Sequence, residues 1–290
     1  MDIRATIPDL QGVARTLFVP LACRAIESTY QDAILHDPSA VALYNAIGGS
    51  RDFLLGMSEH DRLFTVMRMR QFDAFARAFL AQNPGGLVVD IGCGFDTRFF
   101  RLDDGKMNWL GLDLPEVIRL RQQWLPDADR CKSIAKSMFD LEWLEEVQQI
   151  NKPVIFLAEG VFSYFRTREV KPMLTAMIER FPAGELVFDA MAPFVMWLHK
   201  GSSVLKRSGA QVHWDARSPT EIEAWGLRLL ERWSYFDKPE PRLGRASSLR
   251  RVPGAARVCR SSPSARADAI PRLRSRLGSW RPSGLARRSV

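Results

Sequence analysis

The stretch Gly86-Leu87-Val88-Val89-Asp90-Ile91-Gly92-Cys93-Gly94-Phe95-Asp96-Thr97-Arg98 limits what this chain can fold into more than any other. Leu87, Val88, Val89 and Ile91 make a short apolar block suited to a central parallel strand, and Pro84-Gly85-Gly86 breaks the pattern before it. Gly92 and Gly94 then allow a tight turn and close approach to a ligand, since neither carries a Cβ. Asp90, at the strand's end, can accept hydrogen bonds from that turn or from a ligand. Arg98 begins a helix.

A second strand, Trp109-Leu110-Gly111-Leu112, ends in Asp113, where nucleotide-binding α/β units place an acid for the ribose hydroxyls. The dinucleotide fingerprint Gly-x-Gly-x-x-Gly would need glycine at position 97, where this chain has Thr97. That argues against NAD, because the third glycine permits close helix–strand packing under a pyrophosphate. A nicotinamide-dependent oxidoreductase stays as an alternative. The Asp-x-Gly-x-Gly turn resembles instead the nucleotide loop of S-adenosyl-L-methionine (SAM) methyltransferases, whose cofactor has no phosphate to cradle.

Before this unit, residues 11–80 read as helical. Leu17, Leu21, Ala25 and Ser28 share a face, Asp37-Pro38 opens a second helix, and Phe64, Met67, Phe72, Phe75 and Phe79 form a stripe suited to packing on the sheet. Arg68 and Arg70 interrupt that helix, and a guanidinium turned inward there suits a ligand carboxylate. After Asp113, Leu114-Pro115-Glu116 starts a helix, residues 131–135 read as a weaker strand, and Trp143-Leu144 begins the next helix. Residues 153–158 form a buried strand that ends in Glu159-Gly160, again an acid and a glycine where open α/β sheets bind ligands. Arg168–Arg180 reads as a helix, Glu185–Met191 as a fifth strand and Leu229–Phe236 as a sixth, with Ser218 capping a helix between them.

The 290 residues allow a full α/β core, as one large domain or a domain with a cap. The net charge of +8 is unevenly spread. Residues 245–290 carry twelve Arg, no Lys and one acid, Asp268, giving +11 and leaving the body at 8 − 11 = −3. A mildly acidic body does not suggest a nucleic-acid surface. Cys23, Cys93, Cys131 and Cys259 are dispersed, which points to a reduced, cytoplasmic protein without structural zinc; Cys93 reads as a small filler in the glycine turn. His199 and His213 have no ligand partners at metal-binding spacing. No stretch approaches the roughly 20 apolar residues needed to span a bilayer.

Taken together, Pro20-Leu21-Ala22-Cys23-Arg24-Ala25-Ile26-Glu27-Ser28, His36-Asp37-Pro38, Arg68-Met69-Arg70-Gln71-Phe72-Asp73, the Gly92–Arg98 turn, Asp113-Leu114-Pro115-Glu116-Val117 and Ala158-Glu159-Gly160-Val161 resemble one family. It is the branch of SAM-dependent methyltransferases that includes leucine carboxyl methyltransferases and polyketide-synthesis O-methyltransferases. The resemblance covers roughly residues 10–244. It implies an α/β, Rossmann-like class I methyltransferase fold: a mostly parallel twisted sheet, helices on both faces and an N-terminal helical cap that shapes the acceptor pocket. It also implies SAM as cofactor and a small-molecule acceptor methylated on oxygen. By position, Arg68 binds the cofactor's carboxylate with Arg24 as a second cation, Gly92 and Gly94 lie under the cofactor beside Asp90, and Asp113 holds the ribose. Ser137 and Met138 flank the adenine near Asp140, Glu159 lies below the sulfonium, and Tyr164 faces the acceptor. The family often has an acid where this chain has Ser137.

The expected organisation is therefore a cap over residues 1–82, a SAM-binding domain over 83–244 and a tail over 245–290. The tail gives Arg, Ser, Pro, Ala and Gly with almost no apolar periodicity; residues 250–258 still allow a family-like helix, whereas from Cys259 on the composition is disorder-prone and also resembles a shifted reading frame. On that reading the family's last strand, which pairs beside the sixth, is missing, and the protein is a truncated and inactive relative. A different-class alternative treats the tail as an arginine-rich arm that binds polyanions, on a body that need not be catalytic.

Overall fold

The computed structural model describes residues 16–49, 54, 56–189, 210–214, 219–235, 237, 239–248 and 253–260. The Ser218 cap, His199, Met191, Phe236 and everything past residue 260 lie outside them. Seven strands form one sheet: β1 (Leu87–Ile91), β2 (Asn108–Asp113), β3 (Cys131–Ala135), β4 (Val154–Ala158), β5 (Glu185–Asp189), β6 (Leu227–Ser234) and β7 (Pro253–Arg260). Their order is β3-β2-β1-β4-β5-β7-β6. The first five are parallel, and β7 runs antiparallel to both β5 and β6.

Helices cover both faces because successive strand residues point to opposite sides. Leu87, Val89 and Ile91 of β1 join Phe156 and Phe188 against α6 (Trp143–Ile150) and α7 (Thr167–Arg180). Val88, Ile155, Leu157 and Val187 pack on the other side, against Phe72, Phe75 and Phe79 of α3 (Glu59–Gln82) and Phe99 of α4 (Arg98–Leu102). Phe72, Phe75 and Phe79 of the predicted stripe thus pack on the sheet, whereas Phe64 and Met67 join a separate cluster with Leu63 and Leu243.

A separate apolar cluster joins α1 (Phe18–Glu27) and α2 (Pro38–Ala46) to Val66 and Met69 of α3, and takes in Phe95 of the glycine turn and Leu120 of α5 (Pro115–Arg121). The helix α3 begins with a capping box in which the Ser58 hydroxyl accepts from the Asp61 N–H. It runs unbroken through Arg68 and Arg70, with Val66 and Met69 in that cluster, Leu63 and Met67 in a small one with Leu243, and Phe72, Phe75 and Phe79 on the sheet.

Pro253–Arg260 is a strand, not a helix. The sheet does not lack its last strand: β7 lies inside the stretch after residue 245 that was read as tail, and the compact unit continues to Arg260. Ala256 and Val258 alternate into the α6/α7 side, and the Arg257 guanidinium pairs with Glu185 at 2.9 Å. The strand is hard to read from sequence because β5 and β6 supply hydrogen-bond partners on both of its edges, so small residues suffice where an isolated strand would need large ones.

Candidate active site

The carboxyl ends of β1, β2, β4 and β5 bring together Asp90, Asp113, Glu159 and Asp189 around the glycine turn. This is where open α/β sheets bind ligands. Gly92 and Gly94 sit at φ of +70° and +44°, a backbone region that other residues enter at a cost. The Gly94 N–H donates to Asp113 Oδ2 at 2.8 Å and the Leu114 N–H donates to Oδ1 at 2.8 Å. Asp113 therefore braces the turn while each oxygen keeps a second lone pair. Burial raises its carboxyl above the ordinary range.

Asp90 is buried in β1, and its Oδ2 has no hydrogen-bond partner among the described residues. Burial, helped by the nearby Asp96, pushes its pKa well up and favours the neutral acid. Cys93 fills space as expected: a Cβ on Gly111 would stand 2.9 Å from its Sγ, and burial raises the thiol far from thiolate formation.

Arg68 turns inward. Its Nε donates to Glu159 Oε1 at 3.0 Å, and its Nη1 stands 3.5 Å from Asp189 Oδ2. Burial works against its charge, yet Asp189 and Glu159 more than offset this and hold it protonated. Arg24 is placed differently. It is buried against Asp37 at 3.1 Å and donates to the Phe95 carbonyl at 2.7 Å, so it fastens α1 to the turn. Ser137 lies just past β3, its hydroxyl accepting from the Phe139 N–H at 3.3 Å. The Met138 side chain is in the core, its carbonyl accepting from Trp143 Nε1, and Asp140 is exposed with Oδ1 facing the Glu142 N–H. Tyr164 is tied to Thr16 and feels both Arg68 and Asp189.

Sequence reading assigned no role to Arg98, Asp73, Arg101, Arg121 or Asp189. Arg98 is fully buried, with Nε on Asp73 at 2.6 Å, Nη1 on Asp96 at 2.5 Å and Nη2 on Glu159 at 2.5 Å. Arg101 bonds Asp73 and Asp37, and the Thr97 hydroxyl donates to Asp37 at 2.5 Å. This ladder ties the start of α2 to the tip of β4. Arg121 Nη1 donates to the carbonyls of Gly94 and Asp96 at 2.9 and 2.7 Å. The Asp-Thr-Arg end of the turn motif was the available signal for Arg98, whereas nothing in sequence ties Arg121 or Asp189 to the site.

The family model described as leucine carboxyl methyltransferase matches residues 18–178, from α1 to the end of α7. The chain belongs to the leucine carboxyl methyltransferase family. It is a SAM-dependent methyltransferase, and the nicotinamide alternative falls with that assignment. The tetracenomycin polyketide synthesis O-methyltransferase of Streptomyces glaucescens is 33% identical over 234 residues, covering 79% of this chain and 86% of that one. A Mycobacterium tuberculosis protein described as a SAM-dependent methyltransferase is 29% identical over 185 residues, covering 56% and 60%. Among solved structures, a protein of Thermobifida fusca described as a methyltransferase has the same fold, with TM-score 0.56 and 15% identity over 89% of this chain and 98% of that one.

The residues at the strand tips fit SAM chemically. A ribose diol calls for acceptors, which Asp113 supplies; a sulfonium calls for negative charge, which Glu159 and Asp189 supply; and a carboxylate calls for Arg68. The unpartnered Oδ2 of Asp90 is a further buried acceptor. Among the described residues no cluster of three or more His, Cys, Asp or Glu could hold a metal ion, and no helix is long and apolar enough to cross a membrane.

Proposed function

We propose that this enzyme methylates an oxygen of a small, polyketide-like acceptor, and that the oxygen belongs to a carboxylate. The observation that carries the reading is the 33% identity to a polyketide-synthesis O-methyltransferase over most of both chains. The family match supports it by beginning at residue 18, so that it takes in the cap helices that border the site. A carboxylate is ionised near neutral pH and needs no general base. A hydroxyl acceptor would need one, and Asp189, with its carboxyl raised to about 6 by burial, is a candidate.

Arg68 anchors the cofactor's carboxylate, Gly92 and Gly94 let the backbone pass beneath the nucleoside, and Asp113 accepts from the ribose hydroxyls. The segment Ser137–Asp140 borders the adenine, with Met138 contributing backbone because its side chain is in the core. Glu159, held from two sides by Arg68 and Arg98, presents a fixed negative charge below the sulfonium. When bound, SAM supplies an electrophilic methyl group on that sulfonium. The protein's share is alignment and exclusion of water, and Tyr164 together with the cap helices borders the acceptor. Arg24 serves this arrangement indirectly, by fixing Phe95 and Asp37.

Calorimetric titration with SAM tests cofactor binding. Transfer of labelled methyl from SAM to an aromatic polyketide carboxylic acid, its methyl ester and a phenolic analogue then tests the acceptor. The carboxylate reading expects label only on the acid, released as methanol by mild alkali. Alkali-stable label on the phenol would replace it with the hydroxyl reading.

A further inference from the structure

The two acids that face Arg68 are unequally provided for. Glu159 takes one arginine on each oxygen, Arg68 Nε at 3.0 Å and Arg98 Nη2 at 2.5 Å. Asp189 Oδ2 accepts the Gly160 N–H and stands 3.5 Å from Arg68 Nη1, while its Oδ1 is buried and, among the described residues, has no hydrogen-bond partner. The side chain is 1% exposed. A buried carboxylate so provided for depends on Arg68, its ion-pair partner among the described residues, because the alternative is an unpaired buried charge.

The guanidinium is correspondingly engaged. Its Nε edge belongs to Glu159 and its Nη1 faces Asp189, while Nη2 lies against Gly160, where a Cβ would stand 3.3 Å away. A ligand carboxylate gripped by two nitrogens of this fork must take Nη1 or approach beside it, and there it meets the like charge of Asp189.

We propose that Asp189 is a positioning residue that competes with the ligand carboxylate for Arg68, so that cofactor binding is an exchange of one carboxylate for another on a single guanidinium. This rests on the reading of Arg68 as the carboxylate anchor. It makes affinity depend on the charge of Asp189, which several neighbouring groups influence. Burial raises this carboxyl to about 6, Arg68 of α3 pulls it down and Glu159 beyond β4 pushes it up, and the Gly160 N–H and Arg98 of α4 also pull it down. Tyr164, after β4, and Tyr235, after β6, lie close enough to interact with it. Above about 6 the competitor is charged; below it, the competitor is neutral and Arg68 answers to Glu159 alone.

S-adenosylhomocysteine, which has the same carboxylate without the methyl group, is the probe, titrated calorimetrically from pH 5.5 to 8 into wild type and Asp189→Asn. Asparagine still accepts from Gly160 but carries no charge. The variant is expected to bind about three- to tenfold tighter at pH 8, with the ratio falling toward one at pH 5.5. Equal or weaker binding at pH 8, or a ratio that does not change with pH, overturns the proposal; weaker binding would mean that Asp189 instead serves the ligand's ammonium. Arg68→Gln, which removes the charge, separates the two readings. If it binds as wild type does, the anchor reading fails. If it binds weakly while Asp189→Asn matches wild type, only the competition fails. Should a thermal melt show Asp189→Asn unfolded, Asp189→Ser carries the same expectation.

Discussion

Replacing Gly92 by alanine probes the turn on which the site is built, and its cost follows from two separate terms. At φ of +70° an alanine pays the left-handed penalty, roughly 1–2 kcal/mol. Its Cβ would also lie 2.4 Å from Val161 Cγ2, with Cγ1 and Cβ of Val161 at 3.5 and 3.6 Å. One methyl is therefore the obstacle, and relieving such overpacking costs about 1–3 kcal/mol. The sum, about 2–5 kcal/mol, is a large share of a typical domain's 5–15 kcal/mol. Urea unfolding of wild type, Gly92→Ala, Val161→Ala and the double variant separates the terms, because removing Cγ2 leaves only the backbone penalty. The cycle should return a favourable coupling of about 1–3 kcal/mol. A coupling within about 0.5 kcal/mol of zero, or a Gly92→Ala protein as stable as wild type, would refute the reasoning.

Other consequences are equally open to measurement. Asp113→Ala removes a charged acceptor from the ribose side and is expected to weaken SAM binding by about 10- to 100-fold in calorimetry. It should also loosen the turn that Asp113 braces through the Gly94 N–H. Asp73→Asn leaves Arg98 and Arg101 short of a buried partner and should cost about 3–5 kcal/mol in chemical denaturation. Burial alone would raise the Asp73 carboxyl, but Arg101 and Arg98 outweigh it and leave the pKa lowered. Its contribution to stability is thus complete above the ordinary carboxyl value and is lost as pH falls through the lowered one. Asp73→Asn should accordingly lose less stability than wild type as pH falls below the ordinary carboxyl value of about 4. Ending the chain after Gly244 removes β7 from between β5 and β6 and should yield insoluble or unfolded protein by circular dichroism. Ending it after Arg260 should keep both the melting temperature and SAM binding, and loss of heparin binding alone would reveal a polyanion-binding arm.

What the sequence determined by itself lies where local chemistry decides. An apolar block followed by two glycines can do little other than end a strand in a tight turn, and the apolar runs ahead of Asp113 and Glu159 carry those acids to strand tips. Asp37-Pro38 opens α2 as its own cap, with Asp37 Oδ1 accepting from the Ala40 N–H. The inward guanidinium of Arg68 was legible as a chemical option, but which of its neighbours it would meet was not.

Only the tertiary structure decided which distant charges share a buried space. Sequence puts Arg68 first and Arg24 second as cations for the ligand carboxylate, yet Arg24 fastens α1 to the glycine turn while Arg68 reaches the strand tips, because α1 packs on α2 and Phe95 whereas Arg68 lies beside Glu159 and Asp189. Asp189 becomes part of the site only because β5 lies beside β4, and β7 becomes a strand only because two neighbours leave a gap of its width. Both outcomes depend on pairing across long stretches of chain, where hydrogen bonding and burial come from the partner and leave no periodic mark on the segment itself.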